Sequence, residues 1–501
     1  MKQEIRIAAV AAAVSAAFAG PVHAATPIYG AGASAVQRSL LYIIMKDYCS
    51  TASNLTYYDN GTAPTSSTAL PNGSIYRVTC TPVSAAKFTS GLDITYDAAG
   101  GAWKGLIAGT PALLTQAQST QNANPVSTIN IGTGTTYGTL TPTILGSVFT
   151  FTYVYGASST SLGTLATSGT NSVTYGLVDA ESTIFGDTPF NEPLVNGSWN
   201  TSPAQIFDQS AFDNPPPELS GFPVKAFGLT LGVAASPALY KALQIDQVAI
   251  GYLPASCSSS YGTIGSATNP TCVPFISRSQ YASLVSANFG ALNTNAAGLF
   301  QSVTPTDTSI EIARLNQGSG TEAASNAYFL GQGCASTATE ASDLAPALPS
   351  DLGVVPATNS GTNTNVFQVS YSSSAGGVVT RLAPVAATAS SNPGVTSGFV
   401  IGGITGERDG NLGGAGFLRV DGFYPTQTNV LAGVYNFFTS VLLHANPSAA
   451  GDALTFVKDL GGLGTAPSNE WITNYSGTGV VNLTTSNYNN NGTLCAGLRH
   501  I

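Results

Sequence analysis

Charged side chains are scarce in this 501-residue chain: Asp, Glu, Lys and Arg together make up 8% of it, about a third of the roughly 25% usual in a soluble domain. A formal net charge of −9 excludes the basic footprint that nucleic acid requires. It also means that a bound anion is held by a local site, against the field of the whole protein. Histidine occurs three times, and none of the six cysteines forms a Cys-x-x-Cys pair. A zinc centre and a histidine-supported nucleophile are therefore poorly supplied, and no enzymatic constellation, resident metal or cofactor is expected. No stretch reaches the roughly 18 uninterrupted apolar residues of a membrane span. What is plentiful is hydrophobic residues, at 43%, and 55 glycines. That is enough to fill large cores, with surface polarity left to hydroxyls and amides.

The first 24 residues read as an export signal. Lys2 and Arg6 make a basic start, Ile7 to Phe18 is a short apolar run, and Val22-His23-Ala24 is a small-residue cleavage pattern. A periplasmic or extracellular location follows, and removal of the signal leaves a net charge of about −10. An even set of cysteines in an exported chain suits disulfides. Proximity pairs Cys49 with Cys80 and Cys257 with Cys272; elimination leaves Cys334 for Cys495.

Along the chain, PIYGAGASAVQRSLLYIIMKDY (27 to 48) passes from a short strand through a glycine turn into a helix. A Thr/Asn/Gly-rich insertion follows, from about 50 to 80. Leu92 to Tyr96 reads as a strand, and Gly100-Gly101 opens a second helix. Residues 110 to 175, nearly free of charge and rich in Thr, Val, Phe and Tyr between glycines, read as an inserted hairpin or small sheet. Alternation then resumes through GLVDAESTIF, the strand FPVKAFGLTLGVA, the helix SRSQYASLVSAN, the strand TSIEIARL and the helix after NQGSGT. Residues 356 to 396 read as loop with one strand, NVFQVSYSS. The strands FLRVDGFYP and VYNFFTSVLLHA and the helix PSAAGDALTFVKDL, with Pro447 in its first turn, close the chain. Such alternation indicates an α/β sheet with ligands at the carboxyl ends of strands.

The glycine-flanked helix start in NQGSGTEAASNAYF has two readings. Ser319 with Glu322 makes a capping box; bare N–H groups with glycine on either side make an anion seat. In order along the chain, IYGAGASAVQRSLLYIIMKDY, YDAAGGAWKGLIAGT, SRSQYASLVSANFG, RLNQGSGTEAASNAYF and LRVDGFYPTQTNVLAGVYNFFTSVLLHANPSAAGDALTFVKDL resemble segments of the phosphate-type substrate-binding proteins of bacterial ABC importers. That resemblance implies a two-lobed type II periplasmic-binding-protein fold with β-rich insertions. Its lobe 1 spans 25 to 220, lobe 2 spans 221 to 395, and 396 to 501 returns to lobe 1. It implies capture of phosphate or a related small oxyanion between the lobes, with an ABC permease as partner. Carried over by position, Ala33, Ser34 and Ala35 supply the first loop, Gly100 and Gly101 the second, and Ser319, Gly320 and Thr321 the last, with Arg314 as the guanidinium. One residue more than usual separates Arg314 from Ser-Gly-Thr. Asp179 takes a structural position, and Ser182-Thr183 stand where the family has Ser-Asp. The acid that accepts a proton from bound phosphate has no match, which widens the ligand choice to sulfate-like, organic or neutral molecules.

Each of these residues also has a plainer reading. Ser34 and Ser319 serve as N-caps, Arg314 as a strand-end surface charge, Asp97 and Asp179 as turn residues, Glu322 as a cap partner and Trp103 as core packing. The competing function is an exported surface, matrix or adhesive protein that keeps the scaffold with weak or no ligand binding. The low charge and the Thr/Asn/Gly-rich insertions favour it.

Overall fold

The computed structural model describes residues 25, 27–49, 55–84, 87–88, 91–99, 101–109, 127–129, 133–144, 147–161, 173–180, 183–186, 191, 224–286, 296–303, 305, 310–334, 367–372, 374–383, 399–446, 449–461, 480–481, 488–489 and 499–500. The export signal, Gly100, Ser182 and Cys495 lie outside the described residues, as does the side chain of Thr183, which opens a one-turn helix, Thr183–Gly186.

The fold is mixed α/β, built on one long sheet. Its main strands are β1 (Pro27–Gly32), β2 (Thr56–Asp59), β3 (Ile75–Cys80), β4 (Leu92–Asp97), β5 (Thr135–Leu140), β6 (Phe151–Tyr155), β7 (Tyr175–Val178), β8 (Val224–Ala235), β9 (Ile310–Leu315), β10 (Phe367–Ser372), β11 (Val400–Thr405) and β12 (Phe438–Ala445). They run in the order β10-β9-β11-β8-β12-β7-β1-β4-β3-β2-β6-β5. Two short strands, Gly416–Phe417 and Val480–Val481, pair with β8 off this main path. β1 pairs in parallel with β4 and β7, and β9 with β10 and β11; β8 and β12 are antiparallel to each other. The helices that matter below are α1 (Gln37–Ile43), α2 (Gly101–Gly109), α3 (Pro237–Ala249), α4 (Arg278–Val285), α5 (Gly320–Ser325), α6 (Ala375–Leu382) and α7 (Gly451–Leu460).

Two strands carry the sheet from one half of the molecule to the other. The first part of β8, Val224–Thr230, pairs with β12; the second, Leu231–Ala235, pairs with β11. The residues of β8 divide between two hydrophobic cores accordingly. Leu229 packs with Ile28, Leu40, Ile94, Phe456 and their neighbours, and Leu231 with Tyr240, Ile312, Phe329 and theirs. Val400–Thr405, in the stretch that the sequence reading gives to the return segment, lies between β8 and β9, and Phe417 and Tyr424 join the larger core.

The segments read as insertions are built into this sheet. β2 and β3 occupy the stretch read as a Thr/Asn/Gly-rich loop, and pair with β6 and β4. The disulfide Cys49–Cys80 closes that stretch, with a separation of 31 residues. β5 and β6 form an antiparallel hairpin that extends the sheet beyond β2. Cys257–Cys272 is also formed, and Cys334 is disulfide-bonded. Within 356 to 396 the expected strand is β10, but a helix, α6, follows it where loop was expected. Ser374 caps it, accepting from the Gly377 N–H. GLVDAESTIF is a strand followed by a single helical turn. The closing helix starts at Gly451, later than the proline-led start the sequence suggests.

Candidate functional site

The first loop is fixed from beneath. At the end of β1, Gly32 has φ +144, and a Cβ there would lie 1.8 Å from the Leu177 carbonyl oxygen, so only glycine fits. The Ala33 N–H donates to that same carbonyl at 2.9 Å, and the Tyr96 hydroxyl donates to the Ala33 carbonyl at 2.9 Å. Ala33, not Ser34, stands at the N-cap of the short 3-10 turn Ser34–Val36 that leads into α1. Ala33 and Ala35 are buried, and Ser34 is left exposed.

Two backbone donors just ahead of the second loop are used within the protein. The Ala98 N–H donates to the Ser74 carbonyl at 2.9 Å and the Ala99 N–H to Asp97 Oδ1 at 2.9 Å. Asp97 Oδ2 accepts from Lys104 Nζ at 2.9 Å, a pair buried on both sides. Gly101, with φ +65, begins α2 and touches the third loop: a Cβ there would stand 3.4 Å from the Gly318 carbonyl oxygen.

The third loop holds an anion of the protein itself. The Ser319 hydroxyl accepts the Glu322 N–H at 3.4 Å, which is half of the expected capping box. The Glu322 carboxylate turns the other way, to the Arg314 guanidinium and to the Leu315 N–H. Arg314 also donates to Asn326 Oδ1 at 2.7 Å, so this buried guanidinium is engaged inside the larger core. Thr321 Oγ1 donates to Asp179 Oδ2 at 3.3 Å, and Asp179 Oδ1 would lie 1.9 Å from a Cβ on Gly320. Asp179 Oδ1 has no hydrogen-bond partner among the described residues. Burial pushes the Asp179 carboxyl up to about 6, the Thr321 hydrogen bond opposing and the charge of Glu407 adding to the rise.

A cleft of about 560 Å³ opens beside these loops. One wall comes from the start of α1, with Ser34, Gln37 and Arg38, and from Asn72, Gly73, Ser74, Ala98 and Ala99. The facing wall comes from the start of α6, with Ser374, Ala375 and Gly376, and from Glu407 and Arg408 just after β11. Ser319, Gly320, Thr321 and Arg314 do not line it. Of the described residues carried over to the first two loops, only Ser34 lines this cleft; Ala33, Ala35 and Gly101 do not, although Ala98 and Ala99 beside the second loop do, and the third loop turns onto Asp179.

Arg38 and Arg408 give the cleft its charge. Arg408 Nε stands 3.8 Å from Glu407 Oε1 and has no hydrogen-bond partner among the described residues. Burial lowers the Arg408 guanidinium; Glu407 raises it again and Arg38 lowers it further, so the three groups share one field. Burial raises Glu407, with both arginines opposing. Guanidinium groups stay protonated at any working pH and suit oxyanions in planar, two-point contacts. Two of them with one carboxylate make a locally positive seat in an acidic protein.

Sequence reasoning missed Arg38, Arg408, Gln37 and Ser374. Scarcity was an available signal: with 16 basic side chains in 501 residues, an arginine one helical turn after Ser34 stands out. Nothing local links Arg408 to it.

Among the described residues, no group of three or more His, Cys, Asp or Glu side chains is placed to hold a metal ion. None of their helices is long and apolar enough to cross a membrane. No protein-family model and no curated protein matches the chain. Among solved structures, it is similar to a putative phosphate ABC transporter substrate-binding protein with bound phosphate from Clostridium perfringens, at 12% identity and a TM-score of 0.32, over 62% of this chain and 79% of that one. It is similar to an ABC-type phosphate transport receptor from Vibrio cholerae at 14% identity and a TM-score of 0.28, over 61% and 78%. For PstS from Borrelia burgdorferi the figures are 14%, 0.22, 47% and 64%. At these scores the functional reading rests on the chemistry of the cleft itself.

Proposed function

We propose that this is an exported solute-binding protein that captures a small anion in the cleft by drawing its two halves together, as the receptor of an ABC-type importer. The observation that carries this reading is that Arg38 and Arg408, from separate halves of the sheet, line one cleft, with the charge of Arg38 lowering Arg408. An anion placed between them relieves their mutual repulsion and so favours the closed arrangement, which is the differential binding that a capture protein needs. The Ser34 hydroxyl and the first turn of α6 add donors beside it. Inorganic phosphate, bound by the protein from Clostridium perfringens, is the first ligand to try.

Calorimetric titration of the purified protein with phosphate, sulfate and small carboxylic acids tests the proposal. Saturable binding of at least one is expected. Arg38→Gln and Arg408→Gln are each expected to weaken it about 10- to 100-fold, the value of a hydrogen bond to a charged group in a partly dry site. No saturable heat at millimolar concentration, or affinities untouched by both substitutions, defeats it. The internal use of the Ala98, Ala99 and Arg314 donors favours the alternative, a surface or matrix protein on the same scaffold. That reading predicts no saturable ligand.

A further inference from the structure

The cleft is larger than a bare inorganic oxyanion fills, and part of its lining is apolar. Its volume of about 560 Å³ lies within the roughly 300 to 1,000 Å³ typical of sites for organic molecules. A five-atom tetrahedral oxyanion displaces only a few times the ~30 Å³ that a water molecule takes up. Beside the polar groups already named, Leu41, Tyr57, Leu70 and Pro71 add an apolar part to the lining. Leu41 and Tyr57 are buried parts of the smaller core, whereas Leu70 keeps 38% of its surface exposed.

The wall that carries Leu70 and Pro71 is built in advance. Asp59 Oδ1 accepts the Gly61 N–H at 2.9 Å, and Asp59 Oδ2 accepts the Gly73 N–H at 3.0 Å, so one carboxylate ties both ends of the loop between β2 and β3. The Tyr153 hydroxyl donates to Asp59 Oδ1 at 2.8 Å and holds that carboxylate in place. Asn72 accepts from the Thr62 N–H and donates to the Thr62 hydroxyl, both at 2.9 Å. The Thr141 N–H donates to the Ser67 carbonyl at 2.7 Å, and Gln37 Nε2 to the Gly73 carbonyl at 2.6 Å. A loop bound at so many points loses little entropy when a ligand packs on it. An exposed leucine beside a proline, held over a cleft, is poised to cover apolar surface.

Building on the anion reading above, we infer that the ligand is an organic anion, with an oxyanion head group between Arg38 and Arg408 and a compact apolar body against Leu70 and Pro71. Phosphate monoesters and carboxylates share that chemistry. Burying even part of such a body adds about tenfold to affinity.

Calorimetry on the full chain with three probes decides: inorganic phosphate as the bare head group, phenyl phosphate, and 3-phenylpropionate. At least one aromatic anion is expected to bind about tenfold or more tightly than inorganic phosphate, and whichever does identifies the head group. Leu70→Ser, a change at an exposed loop position, is expected to remove most of that advantage and leave the affinity for inorganic phosphate within about twofold. Inorganic phosphate binding as tightly as both aromatic probes overturns the organic ligand and leaves the anion site standing. An unchanged aromatic advantage in Leu70→Ser overturns the placement of the apolar body against Leu70. Absence of saturable binding by all three overturns both the organic ligand and the anion site.

Discussion

At the scale of single residues, Asp179 shows how a short helix start finds its anion. The positive end of α5 favours a carboxylate by about 0.3 to 1 kcal/mol, at most about 2. Burial works against the charge, and the net upward shift to about 6 says that burial is the larger effect. The folded-state value exceeds the unfolded one, so the protonated carboxyl contributes stability that is complete below about pH 4 and is lost as pH rises through about 6. Asp179→Asn stays neutral throughout. Its unfolding free energy is expected to gain on that of the parent between pH 4 and pH 7, by on the order of 1 to 3 kcal/mol. Denaturant melts of the two proteins across that range check this; parallel curves refute it. The Ser319 cap was legible in the sequence because it is local, whereas Thr321 meets Asp179 across 142 positions of chain. A separation of 370 positions hid the meeting of Arg38 with Arg408. Arg314 was misleading because its partners stand close by in the sequence, Glu322 in the first turn of α5 and Asn326 just after its end, where a guanidinium at the end of a strand reaches them easily.

At the scale of elements, close backbone approach sets the position of α2 and, through it, the first loop. A Cβ on Gly105 would meet the Leu177 carbonyl oxygen at 2.3 Å, and one on Gly176 the Gly105 carbonyl oxygen at 1.8 Å. Gly105→Ala gains up to ~1 kcal/mol of helix propensity, but forces apart backbones that have no rotamer to yield. A net loss of about 1 to 3 kcal/mol is expected. Because Leu177 also holds the Ala33 N–H, anion affinity is expected to fall with it; a variant as stable as the parent refutes the packing argument. Strands such as β4, β8 and β12 were legible as apolar or alternating runs, since their period survives any tertiary context. Helix α6 was not, because AGGVVTRL opens with two glycines and a β-branched pair, all weak helix formers. Its amphipathic face, with Val378 and Leu382 buried, holds it in place. The stretch from 56 to 80 was read as loop for its composition, yet β2 and β3 are stabilised by pairing with neighbours that are distant in the sequence.

At the scale of the whole molecule, the two cores meet along a seam of hydroxyl groups. Thr230, Thr405, Thr439 and Ser440 lie where β8 exchanges β12 for β11, and their side-chain oxygens are buried without hydrogen-bond partners among the described residues. Each such group costs about 1 to 3 kcal/mol relative to an apolar equivalent of the same shape. Thr230→Val is therefore expected to raise the unfolding free energy by about 1 kcal/mol. A loss of stability in denaturant titration refutes the assignment of that oxygen as uncompensated. A continuous sheet resists sliding, because every ladder bond would break together, but it yields to torsion wherever its side chains interlock least. The closure proposed above would then be a wringing about β8 and β12, and an aliphatic seam, though sturdier, would stiffen the axle of that motion.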